Sequence, residues 1–117
     1  MHMHMHMPHA QVDLELSVRC VELHKYTVGA SLMDRDHKDS GSSLTLSVAL
    51  SDRQSFEGGE FLTWRGDERV AHRLSCGDGI LFRSEDLHNV APVRQGVRQS
   101  LVIELWVGTT NLIDRSR

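Results

Sequence analysis

The chain reads as an all-β domain, a two-sheet barrel of the jelly-roll kind. Three observations predict it. From Val12 onward, short segments rich in Val, Leu, Thr and Ser are broken by Gly and Asp clusters, the texture of strands joined by tight turns. The run Leu44-Thr45-Leu46-Ser47-Val48-Ala49-Leu50 alternates with period two, as a strand with two unlike faces must. No stretch carries a convincing amphipathic helical repeat.

Size and composition narrow the function classes. At 117 residues the chain suits one domain, predicted as a core over 11–110 between a leader at 1–10 and a tail at 111–117. A net charge of -3 with scattered basic residues offers no electrostatic reason for a nucleic-acid or membrane partner. Cys20 and Cys76 are too few for a disulfide framework and form no CxxC pair, so a reducing, cytoplasmic or other intracellular setting is expected. No apolar run is long enough to span a bilayer.

Taken in order, the leader MHMHMHMPHA has no pattern for burying anything and reads as a disordered start. His2, His4 and His6 suit copper or zinc, but composition alone is a weak argument for a site. Strands are predicted over 18–28, 31–39, 44–50, 60–64, 68–74, 80–83, 88–93 and 99–107. Gly58-Gly59 marks a turn or bulge before the fourth, and Cys76-Gly77-Asp78-Gly79 a tight turn before the sixth.

Parity assigns faces on the two clearest strands. Leu44, Leu46 and Val48 share one face, and Thr45, Ser47 and Ala49 the other. Leu101, Ile103 and Leu105 likewise oppose Arg98, Ser100, Val102, Glu104 and Trp106. If Arg98 points inward, the barrel has a polar lining and apolar outer rows. Something must then cover Leu44, Leu46, Val48, Leu101, Ile103 and Leu105, either a segment N-terminal to this core or the second subunit of a homodimer.

Chemistry concentrates at His37-Lys38-Asp39. On an extended segment, residues two apart point to the same side, so His37 and Asp39 can grip one ion, and His88 completes two imidazoles and a carboxylate. That donor set leaves open positions on iron(II). Taken singly, each residue has a duller reading: a surface histidine, a turn aspartate, a core histidine. Arg98 lies ten positions after His88, at the same parity, and offers a planar fork for a carboxylate; its duller reading is a strand arginine paired with Glu104. Arg94 competes for the anion-binding role but precedes Gly96 in a predicted turn. His24 and His72 are spare imidazoles outside this set.

The ordered segments HKDSG, SLTLSVALSD, FEGGEF, GDGILFRSEDLHNVAPV and GVRQSLVIELW resemble the catalytic core of the iron(II)- and 2-oxoglutarate-dependent dioxygenases, in the prolyl and lysyl hydroxylase-like branch. The likeness covers residues 24–106. It implies a double-stranded β-helix of the jelly-roll or cupin-like type. Fe(2+) would be held by His37, Asp39 and His88, and the far carboxylate of the cosubstrate 2-oxoglutarate by Arg98, with O2 as the oxidant. Many members place a tyrosine on the strand after the HxD; here the only tyrosine is Tyr26, on the preceding strand, which either offers its hydroxyl to cosubstrate or substrate or serves as a core or rim residue. The family usually carries helices N-terminal to this core, and only the short His/Met leader stands there. The implied reaction hydroxylates a C–H bond, on a prolyl or lysyl side chain of a polypeptide or on a small molecule, and releases succinate and CO2. Two other classes fit the same residues: a non-catalytic, metal-binding cupin-like barrel and a truncated interaction module.

Overall fold

The computed structural model describes residues 2–7, 10–34, 37–39 and 41–108, with side chains described from residue 15 onward. The predicted tail at 111–117 lies outside the described residues. Among those described, ten strands form: His2–Met7 (β1), Ala10–Tyr26 (β2), Leu44–Ala49 (β3), Phe56–Gly58 (β4), Phe61–Arg65 (β5), Glu68–His72 (β6), Gly79–Arg83 (β7), His88–Val90 (β8), Val93–Gly96 (β9) and Arg98–Val107 (β10). The only helical piece among them is a 3-10 turn at Arg53–Ser55, so no helix among them is long and apolar enough to cross a membrane.

All pairings of named strands are antiparallel. One sheet has the order β1-β2-β10-β3-β7; opposite it lie the three-stranded β6-β5-β8 and the two-stranded β4-β9. The second layer is one long ribbon broken in its middle. Residues 88–90 pair with β5 and residues 93–96 with β4, because Pro92 has no N–H to give while its carbonyl accepts from the Gly59 amide at 3.1 Å. Gly58 and Gly59 both take positive φ there, and a Cβ on Gly58 would run into the Pro92 carbonyl oxygen. The expected strand over 88–93 is therefore two strands at this step. Phe61 closes the space between layers, its ring 5.3 Å from that of Phe82 on β7, with Val90, Val93 and Val102 buried beside it.

The inverted polarity predicted from parity is present. Thr45, Ser47, Arg98, Ser100 and Glu104 are buried inside, while Val21, Leu23 and Leu81 are among the most exposed hydrophobic residues. Leu105 is the exception to its row. It is only 3 % exposed, at the place where the β2 register slips by one residue opposite Glu104 and Leu105, and a bulge bends a strand and sharpens its twist. Arg19 is the extra residue.

Two expectations of local structure need correction. Residues 31–39 do not form a strand: the only ladder contact among those described is the Leu32↔Val90 bridge. Beyond Leu32 the sequence offers a single apolar residue, Met33, before Ser40, so no face is worth burying and the segment runs as a loop. The first core strand begins earlier than residue 18, and the backbone of His2–Met7 pairs with residues 10–15 instead of trailing as an unstructured leader.

Candidate metal and anion site

The ladder rows of the large sheet build the wall of the site. Cross-strand registers place Cys20, Glu104, Thr45 and Phe82 in one row and Glu22, Val102, Ser47 and Ile80 in the next; Tyr26 and Arg98 face each other at the far end. All of these except Cys20 and Ile80 line a cavity of ≈ 250 Å³. His37, Asp39 and His88 close it from the loop side and from β8.

His37 and Asp39 come together without the strand geometry expected of them. The Asp39 amide donates to the Ser84 carbonyl at 2.9 Å, the Ser84 amide to the Ser43 carbonyl at 3.0 Å, and the His37 amide to the Asp34 carbonyl at 3.3 Å. The loop is thus pinned to the turn after β7, which carries it to His88. Asn89 adds a tie, donating to the Asp34 carbonyl at 2.8 Å while accepting from the Trp64 indole at 3.3 Å.

One oxygen of Asp39, Oδ1, lies 3.4 Å from His37 Nε2 and 3.5 Å from His88 Nε2. The two imidazole rings meet edge-on, centroids 4.8 Å apart. Donors this close can each sit about 2 Å from one common ion, so the residues fit the group that their types imply. The tautomer fits as well. His88 Nδ1 lies 2.9 Å from the Asp86 carbonyl, which only an N–H can satisfy, so when the ring is neutral its lone pair is on Nε2, the nitrogen that faces Asp39.

The electrostatics describe the site with a proton where a cation would sit. For Asp39, burial works to raise the pKa, but the hydrogen bond and charge of His88, the Thr45 hydroxyl and the charge of His37 outweigh it, and the carboxyl titrates below its ordinary range. For His88, burial works to lower the pKa, while the bond to Asp39, the Asp86 carbonyl and the charges of Asp39 and Glu104 carry it above the usual imidazole value.

Arg98 is 7 % exposed, and Glu104 does not pair with it. Glu104 instead accepts from Ser42 Oγ at 2.7 Å and from the Cys20 thiol at 3.3 Å, with Arg19 Nη1 at 3.7 Å. The contacts Arg98 does make are the Ser100 hydroxyl at 3.4 Å and the Tyr26 ring, 5.4 Å from the guanidinium carbon. Arg94, by contrast, is exposed. Burial pulls the Arg98 pKa down, with Tyr26 opposing; burial likewise lifts that of Tyr26, against the nearby guanidinium.

Of the spare imidazoles, His24 lines the cavity wall and holds Glu22 at 3.1 Å, and His72 bonds Thr63 across the β5–β6 hairpin at 2.8 Å. Sequence reasoning missed Arg19, Ser84 and the direct role of Thr45; inward parity on β3 was the one signal that could have raised Thr45. No motif pointed to Arg19.

The family model of the 2OG-Fe(II) oxygenase superfamily matches residues 21–108. The chain is 36 % identical over 88 residues to the PKHD-type hydroxylase YbiX of Shigella boydii, and equally to that of Escherichia coli O157:H7, in each case over 71 % of this chain and 37 % of the relative. It therefore spans little more than a third of the length of the curated relatives it matches. Among solved structures, an oxidoreductase of the 2OG-Fe(II) oxygenase family from Burkholderia pseudomallei superposes with a TM-score of 0.70 at 20 % identity, covering 80 % of this chain and 46 % of that one. A cupin domain from Bordetella pertussis gives 0.54 at 16 %, covering 82 % and 94 %. At those identities the likeness shows the double-stranded β-helix fold alone. The family match over three quarters of the sequence, on a jelly-roll fold whose cavity gathers two imidazoles, a carboxylate and a buried arginine, shows that this chain belongs to the 2OG-Fe(II) oxygenase superfamily.

Proposed function

We propose that this core carries an iron(II)- and 2-oxoglutarate-dependent hydroxylase activity, with His37, Asp39 and His88 holding the metal and Arg98 anchoring the cosubstrate. One observation carries the reading. A buried guanidinium with no carboxylate partner among the described residues shares a cavity with the three converging donors, and a buried cation without a counter-ion is costly unless it serves a ligand. With iron, 2-oxoglutarate and O2 bound, the site would insert oxygen into a C–H bond and release succinate and CO2. The protein's own part is ligation, orientation of the cosubstrate by a charge-assisted fork, and exclusion of bulk water by Phe61, Phe82 and Val90.

Tyr26, whose ring lies 5.4 Å from the Arg98 guanidinium carbon, would help position the guanidinium and lend its hydroxyl to the same carboxylate. The substrate is read as a prolyl or lysyl side chain of a polypeptide, supported by the hydroxylase type named for the relatives; a small-molecule substrate is the other outcome. The apolar outer face of the large sheet would be covered in the working protein, by a further segment or by a second copy.

Visible absorption of the anaerobic protein with iron(II), before and after 2-oxoglutarate, tests the reading. A charge-transfer band that is lost in His37→Ala and needs far more cosubstrate in Arg98→Ala supports it. A folded protein that binds iron(II) and shows no band would leave a non-catalytic metal barrel.

A further inference from the structure

The two oxygens of Asp39 keep different company. Oδ1 faces both imidazoles, whereas Oδ2 accepts a hydrogen bond from Thr45 Oγ1 at 2.7 Å. Thr45 Oγ1 also lies 2.8 Å from Ser84 Oγ. A threonine hydroxyl has one hydrogen, and an ionised carboxylate can only accept, so the hydrogen of Thr45 goes to Asp39 and that of Ser84 goes to Thr45. The direction of the chain is fixed: Ser84 to Thr45 to Asp39.

Its members differ in rigidity. Asp39 sits on a loop, but Thr45 is in β3, with β10 on one side and β7 on the other, and is 1 % exposed; Ser84 is 0 % exposed. A ligand on irregular backbone is thus held by a hydroxyl on a strand in the interior of the sheet.

We propose that Thr45, backed by Ser84, is a positioning residue that confines Asp39 to metal ligation through Oδ1 alone. With Oδ2 engaged, the carboxylate cannot swing both oxygens onto the ion and occupy a coordination position that cosubstrate or O2 needs. This rests on the metal reading proposed above, and the test separates the two.

The experiment compares iron(II) binding by the full chain, titrated anaerobically against a competing chelator, in Thr45→Val, Thr45→Ser and Ser84→Ala. Asp39→Ala, which keeps the histidines at 2, 4 and 6, gives the background. Thr45→Val has nearly the shape of threonine without the hydroxyl, and second-contact losses of this kind weaken metal binding by about 10–100-fold. Thr45→Ser should stay within about threefold of the unaltered protein, and Ser84→Ala should fall between. The near-infrared ligand-field bands of bound iron(II) should shift in Thr45→Val and not in Thr45→Ser, a change that loss of packing alone would not produce. Unaltered affinity and bands in Thr45→Val, or equal losses in Thr45→Val and Thr45→Ser, overturn the inference while leaving the metal site standing. If Thr45→Val does not fold, Ser84→Ala decides: a loss of threefold or more supports the chain, and an unchanged affinity overturns it. If the unaltered protein binds iron(II) no better than Asp39→Ala, the metal reading fails and takes the inference with it.

Discussion

Replacing Arg98 by Met should make the protein more stable and less able to bind 2-oxoglutarate. The guanidinium is buried, its polar contact is a long bond to Ser100, and no carboxylate lies within ion-pair distance among the described residues. An unneutralised buried cation costs several kcal/mol in a dry interior; here the adjoining cavity of ≈ 250 Å³ has room for water, and part of that cost is already relieved. The face-on contact with Tyr26 returns roughly 1 kcal/mol. The balance leaves a gain of about 1 kcal/mol for the apolar variant, a rise of roughly 4 °C in Tm for a domain of this size. Binding moves the other way. Losing one partner of a buried, charge-assisted pair costs about 3 kcal/mol, which is about a hundredfold in Kd. Thermal unfolding without ligand and anaerobic titration of the iron(II) form with 2-oxoglutarate read the two effects separately. A variant that melts lower and still binds 2-oxoglutarate normally would show that Arg98 is a packing residue and would refute the reasoning.

Three further outcomes follow from the geometry. Without metal, the raised pKa of His88 contributes stability that is complete below its ordinary 6.5 and fades as pH climbs through the raised value, while the lowered pKa of Asp39 contributes stability present above 3.8 and lost as pH falls through the lowered one. The metal-free protein should therefore gain most from the pair in mildly acidic solution, whereas iron(II) binding should strengthen with rising pH as His88 gives up its proton; Tm-against-pH curves that coincide for the unaltered protein and His88→Gln would contradict this. Gly58→Ala forces a Cβ onto the Pro92 carbonyl at positive φ and should cost more than the ~1 kcal/mol of a left-handed alanine alone, seen in a denaturant midpoint; a loss under 0.5 kcal/mol would mean that the ribbon can shift there. Val21→Lys with Leu81→Glu should reduce self-association and binding of an apolar dye without altering iron(II) affinity, and a dilute unaltered protein that is monomeric and binds no dye would remove the need for a covering layer.

How much of this was legible in the sequence depends on which force set each feature. Period-two alternation decides which β side chains share a face, so Thr45 and Ser47 on one strand and Arg98, Ser100 and Glu104 on the other could be grouped directly, and which face turns inward follows only if Arg98 points into the barrel. The set of donors could be proposed from residue type. Their meeting does not follow from strand alternation, because 37–39 is a loop: its convergence on His88 depends on amide bonds to Ser84 and Asp34, between groups that every residue carries and that no pattern announces. Leu105 defeated simple parity for a related reason. Its environment depends on a bulge at Arg19, which is a property of the β2–β10 pairing and not of either strand alone.

The inverted barrel follows from the chemistry of the cavity. A site that must hold a cation, an anion and a polar cosubstrate needs donors and acceptors on the inner face of its central strands, and a strand has only two faces. The apolar residues that would otherwise fill the interior are displaced outward, into the registered rows Leu23, Leu101, Val48 and Val21, Ile103, Leu46, Leu81. Completing the burial of these seven side chains would add on the order of 1 kcal/mol each, a sum comparable with the whole net stability of a domain. A layer over the outer face would therefore hold this sheet together as much as any contact within the cavity, and the polarity of the site is what leaves these apolar rows facing outward.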